Sequence, residues 1–133
     1  MNDDRSVDGP RSHREKAIAF LQAAASGRVR EAYQRYVHPD FHHHNPYFPG
    51  DRESLQRAME EAAVASPNKS IEVKRVLEDG DLVAVHSRIR RADPNAPDIA
   101  VVHILRFQDG WIIEEWEAGN EVPQDSPNEN GAF

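Results

Sequence analysis

Three consecutive imidazoles, His42-His43-His44, lie between Pro39 and Pro46, and His86, His103, Glu115 and Glu117 follow in the second half of the chain. Histidine titrates near neutrality, and a neighbouring carboxylate favours its charged form and fixes its tautomer. Proton abstraction beside a carbonyl needs such a base, in a cavity that excludes water. The same imidazoles could instead ligate a metal. His42 and His44, with His86 and His103 nearby, would offer nitrogens to an ion at about 2.0–2.1 Å. No His-x-x-x-His falls on a predicted helix, which argues against a helix-borne metal site. The sequence has no Gly-x-Gly-x-x-Gly or phosphate loop, so no nucleotide cofactor is expected. With no cysteine there is no thiolate nucleophile, disulfide or cysteine-based zinc site.

The elements that must position these groups fall into two halves. Residues 1–11 are polar and acidic and read as a disordered arm. Ser12-His13-Arg14-Glu15 has the form of a capping box, followed by a helical stripe of Ala17, Ile18, Leu21, Ala24 and Ala25 that stops at Gly27. Val29, Ala32, Tyr33, Tyr36 and Val37 mark a second helix, ended by His38-Pro39. Asp51 caps a third, with Leu55, Ala58, Met59, Ala62 and Ala63 on one face. Prolines bar helix between these two, so Phe41 to Asn45 should run extended, with His42 and His44 on one side and His43 on the other. We read this stretch as one wall of a pocket.

From Ser70 the apolar period changes to two. Strands are predicted over 70–77, 82–91, 99–107 and 111–117, with turns at Asp79-Gly80, 93–97 and Asp109-Gly110. Helices first and a strand meander afterwards is an α+β pattern, three helices packed on a curved antiparallel sheet. If the loop 92–97 closes symmetrically, His86 falls opposite His103. Leu82, Ala84, Val101, Leu105 and Phe107 share that face. Val83, Val85, Ile89, Ala100, Val102 and Ile104 form the other, so both faces are apolar. One takes the helices; a second copy of the protein is the simplest cover for the other. A three-residue turn at Gln108-Asp109-Gly110 would put Glu115 opposite His103, and a two-residue turn would put Trp116 there.

The 133 residues suit one domain, spanning 12–123 with a tail over 124–133. A net charge of −7 without a concentrated basic patch argues against nucleic acid as a partner. Met1 to Pro10 contain no apolar run, so neither a signal peptide nor a membrane contact is expected, and a cytoplasmic protein is the default expectation.

Four blocks carry a resemblance. His44-Asn45-Pro46, Gly80-Asp81-Leu82-Val83-Ala84-Val85-His86, Ala100-Val101-Val102-His103-Ile104-Leu105-Arg106-Phe107 and the run from Asp109-Gly110-Trp111 to Glu117 resemble the SnoaL-like, polyketide-cyclase-like family. Its superfamily is nuclear transport factor 2-like (NTF2-like, also described as cystatin-like) and includes ketosteroid isomerase. The ending Asn128-Glu129-Asn130-Gly131-Ala132-Phe133 is similar to a subgroup labelled as aldol-condensation catalysts. The resemblance implies a cone-shaped fold around a mostly apolar cavity, often dimeric through the outer sheet face, with no cofactor. It also implies departures. Family members often carry an acid at the position of His103, histidine at Glu115, Asp at Glu117 and Gln at Asn120, as though acid and imidazole had exchanged strands.

Two functional readings stand at this point. One is a cofactor-independent cyclase, isomerase or aldol-type enzyme acting on an apolar carbonyl compound. His103 would be its base, Glu115 or Glu117 would orient that base, and His86 and His44 would hold or protonate the substrate oxygen. Asn45, Tyr33, Tyr47, Phe48 and Trp116 would line the cavity or its mouth. The other is a non-catalytic module that binds a ligand or mediates association.

Overall fold

A computed structural model describes residues 12–133. The predicted arm at 1–11 lies outside the described residues. Helix α1 (His13–Ala25) begins with both arms of the expected capping box: the Ser12 hydroxyl accepts from the Glu15 N–H, and the Glu15 carboxylate accepts from the Ser12 N–H. Helix α2 (Val29–Tyr36) runs directly into strand β1 (Val37–His43), so Val37 is the first strand residue rather than the last of the helix. The Asp51 carboxylate caps helix α3 (Arg52–Ala65), accepting from the Ser54 N–H at 3.0 Å and the Ser54 hydroxyl at 2.7 Å. Strands β2 (Ser70–Asp79), β3 (Leu82–Arg90), β4 (Ile99–Gln108) and β5 (Trp111–Glu121) complete the chain of elements. Among the described residues no helix is long and apolar enough to cross a membrane.

The α+β class and three helices agree with the sequence, but the sheet is mixed rather than purely antiparallel. Its order is β1-β5-β4-β3-β2, with β1 parallel to β5 at one edge. The proline-bounded stretch expected to be only an extended pocket wall is therefore a fifth strand. Its pairing is irregular: Val37 aligns with Ile112 and His42 with Glu114, so β1 spends residues 37 to 42 where β5 spends 112 to 114. Pro39 has no N–H for a ladder, which accounts for part of that looping.

Helices cover one face of the sheet. Phe20, Val29 and Tyr33 from α1 and α2 are buried with Val83, Val85, Leu105 and Ile112 from the strands. Each such aliphatic or aromatic side chain is worth about 1.5–3 kcal/mol on burial.

Two registers differ from those expected. Val85, not His86, lies opposite His103, and His86 aligns with Val102. Symmetric closure of the long loop was the faulty premise. The pairing found buries the β-branched Val83 and Val85 under the helices and turns Ala84 and His86 outward. The face expected to meet a second copy is corrected accordingly: it carries Ala84, Val102 and Ile104, whereas Val83 and Val85 are fully buried. The β4–β5 turn is the two-residue Asp109-Gly110, with φ of 53° and 83°, as the Asp-Gly pair favours. That turn alone would place Trp116 opposite His103. A bulge at Ile113, between the Arg106–Glu114 and Phe107–Ile112 pairs, adds one residue, and Glu117 takes the position. The bulge allows Ile112 and Ile113 both to be buried.

Candidate functional site

A cavity of about 280 Å³ opens between α1, α3 and the helix-facing side of the sheet. Phe20 and Leu21 of α1, Met59 and Ala62 of α3, and Ile71, Ile89 and Ile99 of the strands make its walls apolar. Asn45, His103, Glu115 and Glu117 give it a polar side, and Phe48 and Lys69 also line it. A larger surface trough, about 770 Å³, runs past Arg30, Asp40, Asp51, Glu53, Arg57 and Glu60. Its charges pair with one another, Arg30 with Glu60 at 3.2 Å and Arg57 with Glu53 at 3.5 Å, which makes it a solvated charged surface rather than a ligand pocket.

Strand alternation and the Ile113 bulge together build the polar side. His103, Glu115 and Glu117 all project to the helix-facing side, and their donor atoms lie within 4.8 Å of one another. His103 Nε2 is 3.7 Å from Glu117 Oε2. The Asn45 amide donates to Glu117 Oε1 at 3.1 Å. Asn45 is itself set by a tight loop: its N–H donates to His43 Nδ1 at 3.1 Å, and His43 Nε2 donates to the Pro49 carbonyl at 2.7 Å. His43 is thus the buried imidazole of the triplet and shapes the loop that presents Asn45. His103 Nδ1 is buried and has no hydrogen-bond partner among the described residues.

Burial sets the protonation of this cluster. Glu115 is pushed up to about 8, by burial first and by the nearby Glu117 carboxylate second, so it is a neutral acid at pH 7. Burial lowers His103, and the attraction of Glu117 opposes that shift only in part, so the imidazole is held neutral as well. A proton donor and a proton acceptor therefore coexist in one apolar cavity, the pattern by which environments push neighbouring groups into acid and base roles. Tyr33 sits beneath them with its hydroxyl donating to Met59 Sδ at 3.3 Å. Burial and then Glu115 raise its pKa far above the ordinary phenol value.

The remaining candidates separate. His86 lies on the other face of the sheet, where its Nδ1 accepts from the Arg75 guanidinium at 2.7 Å and its ring packs on Phe133. His44 also faces outward, stacked on Trp116 with ring centroids 5.0 Å apart. Neither histidine reaches His103, and Trp116 is on their side of the sheet rather than in the cavity. Tyr47 is 85% exposed. Of the expected cavity residues, Asn45 and Phe48 line it, while Tyr33 packs behind it in the core. Sequence reasoning missed Met59 and Ile89 as walls, although both lie on apolar stripes, and it missed Glu114. Among the described residues, two sets of side chains have donor atoms close enough for an ion: His103 with Glu115 and Glu117, and His42 with His44 and Glu114.

The model of the SnoaL-like domain family matches residues 17–115. The chain belongs to that family. None of the curated proteins matches the sequence. Among solved structures, the SnoaL-like chain is similar to IdmH of Streptomyces antibioticus, a candidate polyketide cyclase, at 20% identity and a TM-score of 0.69, covering 83% of this chain and 93% of that one. An NTF-2 like protein from Burkholderia xenovorans is 23% identical with a TM-score of 0.68, covering 86% of this chain and 87% of that one. A candidate ketosteroid isomerase from Kribbella flavida is 21% identical with a TM-score of 0.67, covering 87% of this chain and 83% of that one. These likenesses establish an NTF2-like fold for this SnoaL-like chain.

Proposed function

We propose that the protein binds a small, mostly apolar carbonyl compound in the 280 Å³ cavity and moves a proton on it without a cofactor. The observation that carries this reading is the pairing of a neutral Glu115 with an uncharged His103 inside apolar walls. In the proposed roles, His103 takes a proton from the carbon beside the carbonyl. Glu115, protonated at pH 7, donates a hydrogen bond or proton to the carbonyl oxygen as charge develops there. Glu117, held by Asn45, faces His103 and stabilises the imidazolium that forms. His103 replaces the carboxylate base that the resemblance leads one to expect, and Glu117 rather than Glu115 is its orienting acid. Cyclase, isomerase and aldol-type reactions all begin with this enolisation step. The neighbours described as a polyketide cyclase and a ketosteroid isomerase support the same substrate chemistry.

The same reading includes a homodimer formed through the outer sheet face, where Ile104 is 36% and Leu77 71% exposed. The test of the activity is exchange of α-hydrogens into a panel of small ketones and β-dicarbonyl compounds in deuterated buffer, followed by NMR. Binding with exchange that is lost in His103→Gln and in Glu115→Ala supports the enzyme. Ligand binding with no exchange above the buffer rate would refute it in favour of a binding module.

A further inference from the structure

The outer face of the β1–β5 edge holds a second cluster that the cavity chemistry leaves unused. Alternation along β1 turns His42 and His44 to this side, and parallel pairing sets His42 beside Glu114 of β5. Both imidazoles aim the same nitrogen at one carboxylate oxygen: His42 Nε2 is 3.1 Å and His44 Nε2 2.7 Å from Glu114 Oε2. The other oxygen of that carboxylate, Oε1, accepts from Arg106 Nε at 2.8 Å. The Glu114 carboxylate is thus held from both sides, by the imidazoles on one oxygen and by Arg106 on the other. Stacking on Trp116, with the planes 3° apart, fixes the His44 ring.

We propose that His42, His44 and Glu114 form a binding site for a divalent transition-metal ion such as zinc, on the opposite side of the sheet from the cavity. Two imidazole nitrogens and one carboxylate oxygen are a donor set that zinc, copper and nickel accept. Bonds of about 2.0–2.1 Å in a tetrahedron separate the ligand atoms by roughly 3.3 Å. The His42 separation of 3.1 Å is close to that, the His44 separation of 2.7 Å is a hydrogen-bond length that would have to open on metal binding, and all three donor atoms are within 4.8 Å of one another. Side chains of His42 and His44 are 48% and 45% exposed, so an ion can reach them, and the His42 ring can move outward to admit it. Three protein ligands leave a coordination position for water or another donor. Arg106 acts in two directions. It orients the carboxylate so that Oε2 points to the imidazoles, and its charge weakens the hold on a cation, which points to micromolar affinity rather than the tighter binding of structural zinc sites.

Two rings two residues apart in the sequence converge on Glu114 Oε2, whose lone pairs can accept from both, and a cation would take the place of the N–H protons between the same three atoms.

The test is titration of tag-free full-length protein with Zn²⁺, and separately Cu²⁺, by calorimetry, with electron paramagnetic resonance of the copper form. The site predicts one equivalent bound with micromolar affinity and a copper spectrum split by two nitrogens. His42→Gln and His44→Gln should each weaken binding roughly tenfold or more. His103→Gln should leave it unchanged. Both outer residues are half-exposed, so far-UV circular dichroism should confirm that these variants fold. Absence of micromolar binding would overturn the proposal and leave a purely hydrogen-bonded trio. Binding that survives both outer substitutions, or that is abolished by His103→Gln, would overturn it as well, since the ion would then sit elsewhere.

Discussion

Replacing Glu115 by Gln should flatten the dependence of stability on pH above neutrality. Gln is nearly isosteric with the protonated carboxyl that the fold holds, but it cannot ionise. Glu115 in the folded protein titrates at about 8, above its ordinary value of 4.5. A carboxyl raised in this way stabilises the native state fully below its unfolded pKa and loses that contribution as pH climbs through the folded one. His103 works in the opposite sense: its folded pKa lies below 6.5, so its contribution is present above 6.5 and lost as pH falls. Between pH 6.5 and 8 the change in stability from these two groups therefore comes mainly from Glu115. Linkage over that window, with a limiting slope of about 1.36 kcal/mol per pH unit, gives a loss of about 1.6 kcal/mol. For a domain of this size that is a fall in Tm of roughly 6 °C. Glu115 is 5% exposed, so solvent screening removes little of this effect. Urea or thermal melts of both proteins at pH 6.5 and 8 measure it, and taking the difference between wild type and Glu115→Gln cancels the other histidines. Parallel stability curves across the window would refute the assignment of Glu115 as a neutral buried acid.

Two further outcomes follow from the same geometry. Glu117→Gln should lower the pKa of both His103 and Glu115, because the Glu117 charge raises each; NMR titration of the imidazole and carboxyl signals reads this, and an unmoved His103 would break the proposed pair. Val85→Ala should cost about 2 kcal/mol or more by opening a hole in the core, whereas Ile104→Glu should leave the fold intact and convert a dimer to monomer in sedimentation. A Val85→Ala variant as stable as the wild type would reinstate the sequence-derived face of Val85 in β3.

Local rules carried much of this protein. The capping box at Ser12, the Asp51 cap, the Asp-Gly turn and the change of apolar period at Ser70 each depend on a few neighbouring residues. The sequence by itself therefore determined three helices, a strand meander, and the separation of His42 and His44 from His43, but not that His43 would be the inward one. Tertiary structure decided everything that depends on counting across strands. A single residue of register moves a side chain to the other face, and nothing local in β3 says whether Val85 or His86 should be buried. The choice is made by the helices, which close over Val83 and Val85. Likewise the bulge at Ile113 shows in the sequence only as two adjacent isoleucines, yet it decides that Glu117 rather than Glu115 or Trp116 faces His103. Parallel docking of β1 beside β5 brings His42 and His44 to Glu114 across some seventy residues of chain. Such a meeting is set by packing of the whole sheet, because the segments that meet carry no pattern that refers to each other.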